Sequence, residues 1–215
     1  MLFPNERQFW IRRLHSLLGV VPLGVFLAQH LAANSLSVFG QQKFNSWVAV
    51  LQQMPLVWVL EWGLIFLPML AHGILGLVYL RTAQYNTGRF GYLRNYLYTL
   101  QRLSGIVVFF FVLYHVVTLT FLSEDYKHDF YSLLYAMFQD LPMCIVYLLG
   151  VTATVYHFSN GLATFCITWG LTISVRSQKM MLGVALVVGI LLMAMAVVGI
   201  IGFRYGAPPM SVAVR

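Results

Sequence analysis

An all-α integral membrane bundle of five transmembrane helices, forming one domain over residues 1–215, is the fold the sequence predicts. Three observations predict it. The chain is 60% hydrophobic and only 9% charged, far from the roughly 25% charged of soluble domains. Apolar runs close to the ~20 residues that cross a bilayer occur five times. Four histidines fall one per run in the first four runs, at His30, His72, His115 and His157.

The first run, about 14–39, is too long for a cleaved signal peptide, follows Met-Leu-Phe-Pro-Asn-Glu rather than a basic lead, and contains His30. It is therefore expected to stay as a helix. The others are about 57–80, 103–122, 141–165 and 180–203. Pro22, Pro55, Pro68 and Pro142 are expected to mark kinks or starts. If Cys144 and Cys166 lie on one helix, 22 residues separate them by about 33 Å, too far for a disulfide.

Net charge +7 is scattered between apolar runs, which argues for membrane topology and against a nucleic-acid surface. Nine basic residues flank one side of the runs, namely Arg7, Arg12, Arg13, Arg81, Arg89, Arg94, Arg102, Arg176 and Lys179, against Lys43, Lys127, Arg204 and Arg215 on the other. Cytoplasmic loops hold the excess of Lys and Arg, so the N-terminus is expected inside and the C-terminus outside. Glu124, Asp125, Asp129 and Asp140 then lie on the outer side, together with a solvated His128.

A lone intramembrane histidine can simply hydrogen-bond a neighbouring helix. Four at matched positions are a pattern. Helices one and three run outward while two and four return, and each histidine lies past its helix's midpoint. His30 and His115 are therefore expected at the outer level, and His72 and His157 at the inner level. Zinc wants four close ligands, and no cysteine or acid accompanies either pair. Haem iron accepts two axial imidazoles, and helix bundles build such sites in their cores. Two bis-histidine b haems follow, and the absence of Cys-x-x-Cys-His excludes covalent attachment.

At about 100° per residue, Gly19 and Ser104 lie close to the faces of His30 and His115, three turns toward the cytoplasm, and Gly150 lies close to the face of His157. Small residues there would clear a porphyrin, or would let helices approach. Glu61, eleven residues before His72, is expected to face the same core near the outer surface, either exchanging protons or snorkelling to water. Arg12, Arg13, His15, Ser16, Arg102, Arg176 and Lys179 converge at the cytoplasmic edge. There they would meet haem propionates, although topology alone also accounts for most of them.

The segments Arg12-Arg13-Leu14-His15-Ser16-Leu17-Leu18-Gly19, Gln101-Arg102-Leu103-Ser104-Gly105 and His157-Phe158-Ser159-Asn160-Gly161, continuing through Trp169-Gly170 to Arg176-Ser177-Gln178, resemble the di-haem cytochrome b subunit of succinate dehydrogenase and fumarate reductase. The likeness runs nearly to Arg204. It implies a multi-pass subunit of the bacterial inner membrane, anchoring a flavoprotein subunit and an iron-sulfur subunit on the cytoplasmic face. It also implies electron exchange with a quinone, usually menaquinone, by way of the two haems, while the dicarboxylate chemistry belongs to the flavoprotein. Three rivals use parts of the same pattern: a cytochrome b subunit of a hydrogenase or formate dehydrogenase, a proton-coupled transporter with a histidine relay, and a haem-free anchor. Against the transporter, no inverted repeat is detectable and few acids lie at depth.

Overall fold

A computed structural model describes residues 5–121 and 129–210. Those residues form helices and connections without a strand. Helices α1 (Asn5–Val20) and α2 (Pro22–Ser35) run on through a 3-10 turn, Leu36–Phe39, as the first span. A short α3 (Gln41–Gln52) follows. The second span joins α4 (Val57–Leu60), a π-helical segment Glu61–Phe66 and α5 (Leu67–Leu80). The third is α6 (Leu93–Val116), which passes into a second π segment, Val117–Phe121. After α7 (Phe130–Gln139) come α8 (Leu141–Thr168) and α9 (Val175–Tyr205), spans four and five. Each span is long and apolar enough to cross a membrane. Large apolar side chains such as Val25, Phe110, Leu149 and Leu186 point outward, as a lipid-facing surface requires.

The expected five spans are present, with longer ends. Span one starts at Asn5 rather than Leu14, span three at Leu93 rather than Leu103, and span five at Val175 rather than Met180. Polar residues such as Arg94, Asn95, Gln101 and Arg102 lower the local hydropathy without ending the helix. The apolar core of a bilayer is shorter than the helices that cross it, so hydropathy alone misses these ends. The short helices α3 and α7 in the connections were also absent from the expected elements. His128, Glu124, Asp125 and Lys127, expected in the third connection, lie outside the described residues, as does Arg215.

Local chemistry sets the helix ends. Pro142 sits in the first turn of α8, where a missing N–H costs nothing, whereas Pro22 and Pro68 lie where spans one and two pass from one helical segment into the next. Pro55 lies in the turn before α4. Asp140 caps α8 by accepting from the Met143 N–H, and Ser174 and Ser177 cap α9 reciprocally. Gly170, at φ 72°, ends α8: its N–H reaches the carbonyl of Ile167 and that of Leu171 reaches Cys166, a Schellman arrangement that favours glycine.

Spans one to four surround a common interior, α1 packing on α5 and α8, α5 on α6, and α6 on α8. Span five lies outside this ring in the groove between α2 and α8. Backbones meet closely there. A Cβ on Gly202 would collide with Ser37 and Val38, and the Ser37 hydroxyl donates to the Gly199 carbonyl at 3.0 Å. Gly189 likewise faces Ser159 on α8, whereas Gly183 has open space around it. Buried Leu31, Val155, Leu192 and Ala196 fill the seam.

At one end, α3, α7, α8 and α9 share an aromatic core of Phe44, Tyr131, Phe138, Tyr147 and Phe203. Asp129 ties this end together, capping α7 at the Ser132 N–H while accepting from Gln41 (2.9 Å) and Asn45 (2.7 Å). Burial alone would raise the Asp129 carboxyl, but the hydrogen bonds from Ser132, Asn45 and Gln41 outweigh it and hold its pKa below the ordinary value. Arg204 donates to the Phe138 carbonyl at 2.8 Å, covering the C-terminal end of α7.

Candidate functional site

The four histidines arrive on different spans, His30 on α2, His72 on α5, His115 on α6 and His157 on α8. The fold brings them together as two pairs. The His30 and His115 ring centroids are 5.8 Å apart with planes at 88°, and those of His72 and His157 are 6.2 Å apart with planes at 89°. A metal–imidazole bond of about 2 Å on each side, with the ring centre about 1 Å beyond each nitrogen, requires a centroid separation near this distance. Both pairs therefore have room for one metal between two rings.

Hydrogen bonds select the nitrogen that would face such a metal. The His72 Nδ1 lies 2.8 Å from the His15 carbonyl oxygen, and the His157 Nδ1 lies 3.1 Å from that of Gln101. The His115 Nδ1 lies 3.2 Å from the Tyr147 hydroxyl. A proton on Nδ1 donated to these oxygens leaves Nε2 with its lone pair free, the arrangement typical of a metal-ligating histidine. Among the described residues, no group of three or more His, Cys, Asp or Glu side chains gathers around a metal position. Two imidazoles alone are too few for zinc but suffice for an iron whose other four ligands come from a porphyrin. The residues fit haem.

Further contacts hold the rings. The Gln101 amide donates to the His157 carbonyl at 3.0 Å, and its own oxygen accepts from Asn160 at 2.7 Å. The Ser104 hydroxyl is 3.3 Å from the His157 Nδ1. A Cβ on Gly19 would stand 2.5 Å from the His72 Cε1, and one on Gly105 would stand 3.0 Å from the His157 Cε1. Gly19 thus makes room for an imidazole itself. Gly150 instead packs against the Phe111 ring. Gln101 and Gly105 were not singled out in the sequence, although both stand in the segment with Arg102 and Ser104.

His15, assigned from sequence to the rim, lies deeper. Its ring stacks on His72 at 4.1 Å with planes 9° apart. Around it, Arg12 lies over the Tyr79 ring (5.2 Å), Arg13 over Trp169 (5.1 Å) and Arg102 over Tyr98 (3.3 Å). Ser16 accepts from the Trp169 indole at 3.1 Å. In this cluster the His15 Nε2, Tyr79 Oη, Arg13 Nε and Arg102 Nε are buried without a hydrogen-bond partner. Buried unpaired donors beside guanidinium groups are the setting an anion such as a propionate would complete. Arg176 and Lys179, at the start of α9, are exposed.

Glu61 is open to its surroundings, which leaves both readings of it standing. It opens the π segment Glu61–Phe66. The wider π turn advances less than 100° per residue, so an eleven-residue spacing no longer returns to the face of His72.

The sequence profile of the family described as succinate dehydrogenase/fumarate reductase transmembrane subunit matches residues 81–198. A relative from Bacillus subtilis (strain 168), its succinate dehydrogenase cytochrome b558 subunit, is 37% identical over 199 residues, covering 93% of this chain and 98% of the relative. The five apolar spans agree with a multi-pass protein of the bacterial inner membrane. The profile match and the nearly end-to-end identity agree: the chain belongs to the succinate dehydrogenase/fumarate reductase transmembrane subunit family.

Proposed function

We propose that this chain anchors the flavoprotein and iron-sulfur subunits of a succinate:menaquinone oxidoreductase. We further propose that it holds two b haems through which the complex exchanges electrons with menaquinone. The observation that carries the reading is the pair of facing imidazole couples, at 5.8 and 6.2 Å, with their Nδ1 atoms engaged at His72, His115 and His157. Haem b, when bound, supplies a one-electron redox centre that no side chain provides.

The residues have separable tasks. His72 and His157 would bind one iron, His30 and His115 the other. Arg12, Arg13, Ser16 and Arg102 would receive propionates, with His15 and Tyr79 adding the unpaired donors of the same cluster. The arginine-rich end is assigned to the cytoplasm by the excess of basic residues there, which sets the N-terminus inside and the soluble subunits beside the His72–His157 pair. The His30–His115 pair then lies toward the outside. Exposed Glu61 is available on that side for proton exchange with quinone.

A reduced-minus-oxidised optical spectrum with a haem assay on the purified complex tests this. Two low-spin b haems per chain are the expected result, and a chain that binds none would overturn it. Flavin in the same preparation is expected for this assembly; nickel or molybdenum in its place would point to a hydrogenase or formate dehydrogenase.

A further inference from the structure

Tyr147 is buried on α8, ten residues before His157, in a box of aromatic rings. It meets Phe138 edge-on at 5.1 Å and Phe111 at 5.4 Å, so its ring has little freedom to swing. Its hydroxyl has two neighbours, the His115 Nδ1 at 3.2 Å and, at the long distance of 4.0 Å, the Met137 sulfur. A thioether accepts only weakly, so the His115 contact dominates.

An imidazole that binds iron through Nε2 carries its proton on Nδ1. The His115 Nδ1–H then donates to the Tyr147 oxygen, and the phenolic O–H points on toward Met137. The other two engaged ligands differ in kind. His72 and His157 each have a backbone carbonyl at Nδ1, which no side-chain substitution removes, with the Ser104 and Gln101 side chains also 3.3 Å from the His157 Nδ1, whereas His115 rests on a side chain. A hydrogen bond at Nδ1 makes the imidazole a stronger electron donor to the metal and fixes its plane.

We propose that Tyr147 is a positioning residue for the His30–His115 site, its hydroxyl holding the His115 plane and lowering the reduction potential of an iron bound there. The inference rests on the two-haem reading above. Without the phenol oxygen, His115 donates less to the ferric form and reduction becomes easier.

The test is a redox titration of the complete complex in detergent, following each haem by its absorbance. Tyr147→Phe keeps the ring packing and removes the acceptor. The expected outcome is two haems per chain, with one reduction equilibrium favoured about threefold to tenfold, a rise of about 30–60 mV for a one-electron couple. The other haem keeps its wild-type value. An unshifted pair, or a shift in the His72–His157 haem, would overturn the proposal. If Tyr147→Phe loses a haem, 3-fluorotyrosine placed at position 147 decides. It preserves the ring and weakens the oxygen as an acceptor, so a smaller rise confined to the same haem supports the proposal, and no change refutes it. Failure of the two-haem reading would be visible separately, as a wild-type complex lacking two haems.

Discussion

The imidazoles of His15 and His72 lie face to face, 4.1 Å apart and 9° from parallel, while the His15 backbone carbonyl accepts from the Nδ1 of the same His72 ring. One residue of α1 thus holds one ring of α5 through both its side chain and its main chain. Gly19, one turn further along α1, completes the slot, since a Cβ there would occupy the space of the His72 Cε1.

Removing the stacked wall leaves the carbonyl in place, so His15→Leu is expected to retain the haem proposed on His72 and His157 with a changed spectrum and potential. His15→Phe restores a flat face and should return the spectrum toward wild type. Low-temperature optical spectra and redox titration check both. A His15→Leu complex identical to wild type in both would count against the slot.

The floor of the slot is less forgiving. Gly19→Val puts branched carbon atoms where the His72 ring lies, and overpacking of this kind costs about 1–3 kcal/mol. The expected result is loss of one haem of the two, assayed as haem per chain. Gly183→Ala is the contrast: nothing stands within 4 Å of a Cβ there, and replacing an exposed helical glycine stabilises by up to about 1 kcal/mol.

These two residues show how far the sequence can be read. Hydropathy gives five spans because the bilayer demands about 20 apolar residues per crossing, and the alternation of direction gives the histidine pairs because depth follows from topology. Both depend on counts. His15 and Gly19 have roles that depend on which helix lies opposite, and no count along α1 reveals α5. For Glu61 the face calculation is limited for a related reason: it assumes a constant helical turn, and the π segment at Glu61–Phe66 breaks it. The partners of Gly202 and Gly189 on α9, Ser37 and Ser159, are likewise fixed by tertiary contact, which no count along α9 reveals.

Asp129 makes the α3–α7 end of the molecule sensitive to acid. Its folded carboxyl pKa is held below the ordinary value, so its contribution is full above the ordinary carboxylate range and is lost as the pH falls through the depressed value. Asp129→Ala removes an N-cap worth about 1 kcal/mol and takes the acceptor from Asn45 and one of two from Gln41, which keeps the Ser132 hydroxyl, about 1 kcal/mol more. Thermal unfolding in detergent should show a lower midpoint for the variant. The gap between variant and wild type should narrow as the medium is made more acidic.

Span five is held by contact of backbones, so it should answer to volume at a single position. Gly202→Leu drives a side chain into Ser37 and Val38 and forces α9 away from the first span. A loss of about 1–3 kcal/mol in stability is expected. Because span five lies outside the ring of four that carries the histidines, haem content per folded chain should stay at the wild-type value. A variant that loses stability and haem in parallel would mean that α9 supports the interior directly.

The interplanar angles of 88° and 89° carry an electronic consequence. Two parallel axial imidazoles direct their π interactions along one axis and split two of the iron d orbitals, whereas perpendicular rings interact with both equally and leave them nearly degenerate. The oxidised complex is therefore expected to give two highly anisotropic low-spin signals in electron paramagnetic resonance, without the three well-resolved features of a rhombic centre. His115→Ala should abolish one signal and His72→Ala the other, each leaving its counterpart in place. If one substitution erased both signals, the two sites would depend on one another, and the separate pairing of His30 with His115 and of His72 with His157 would fail.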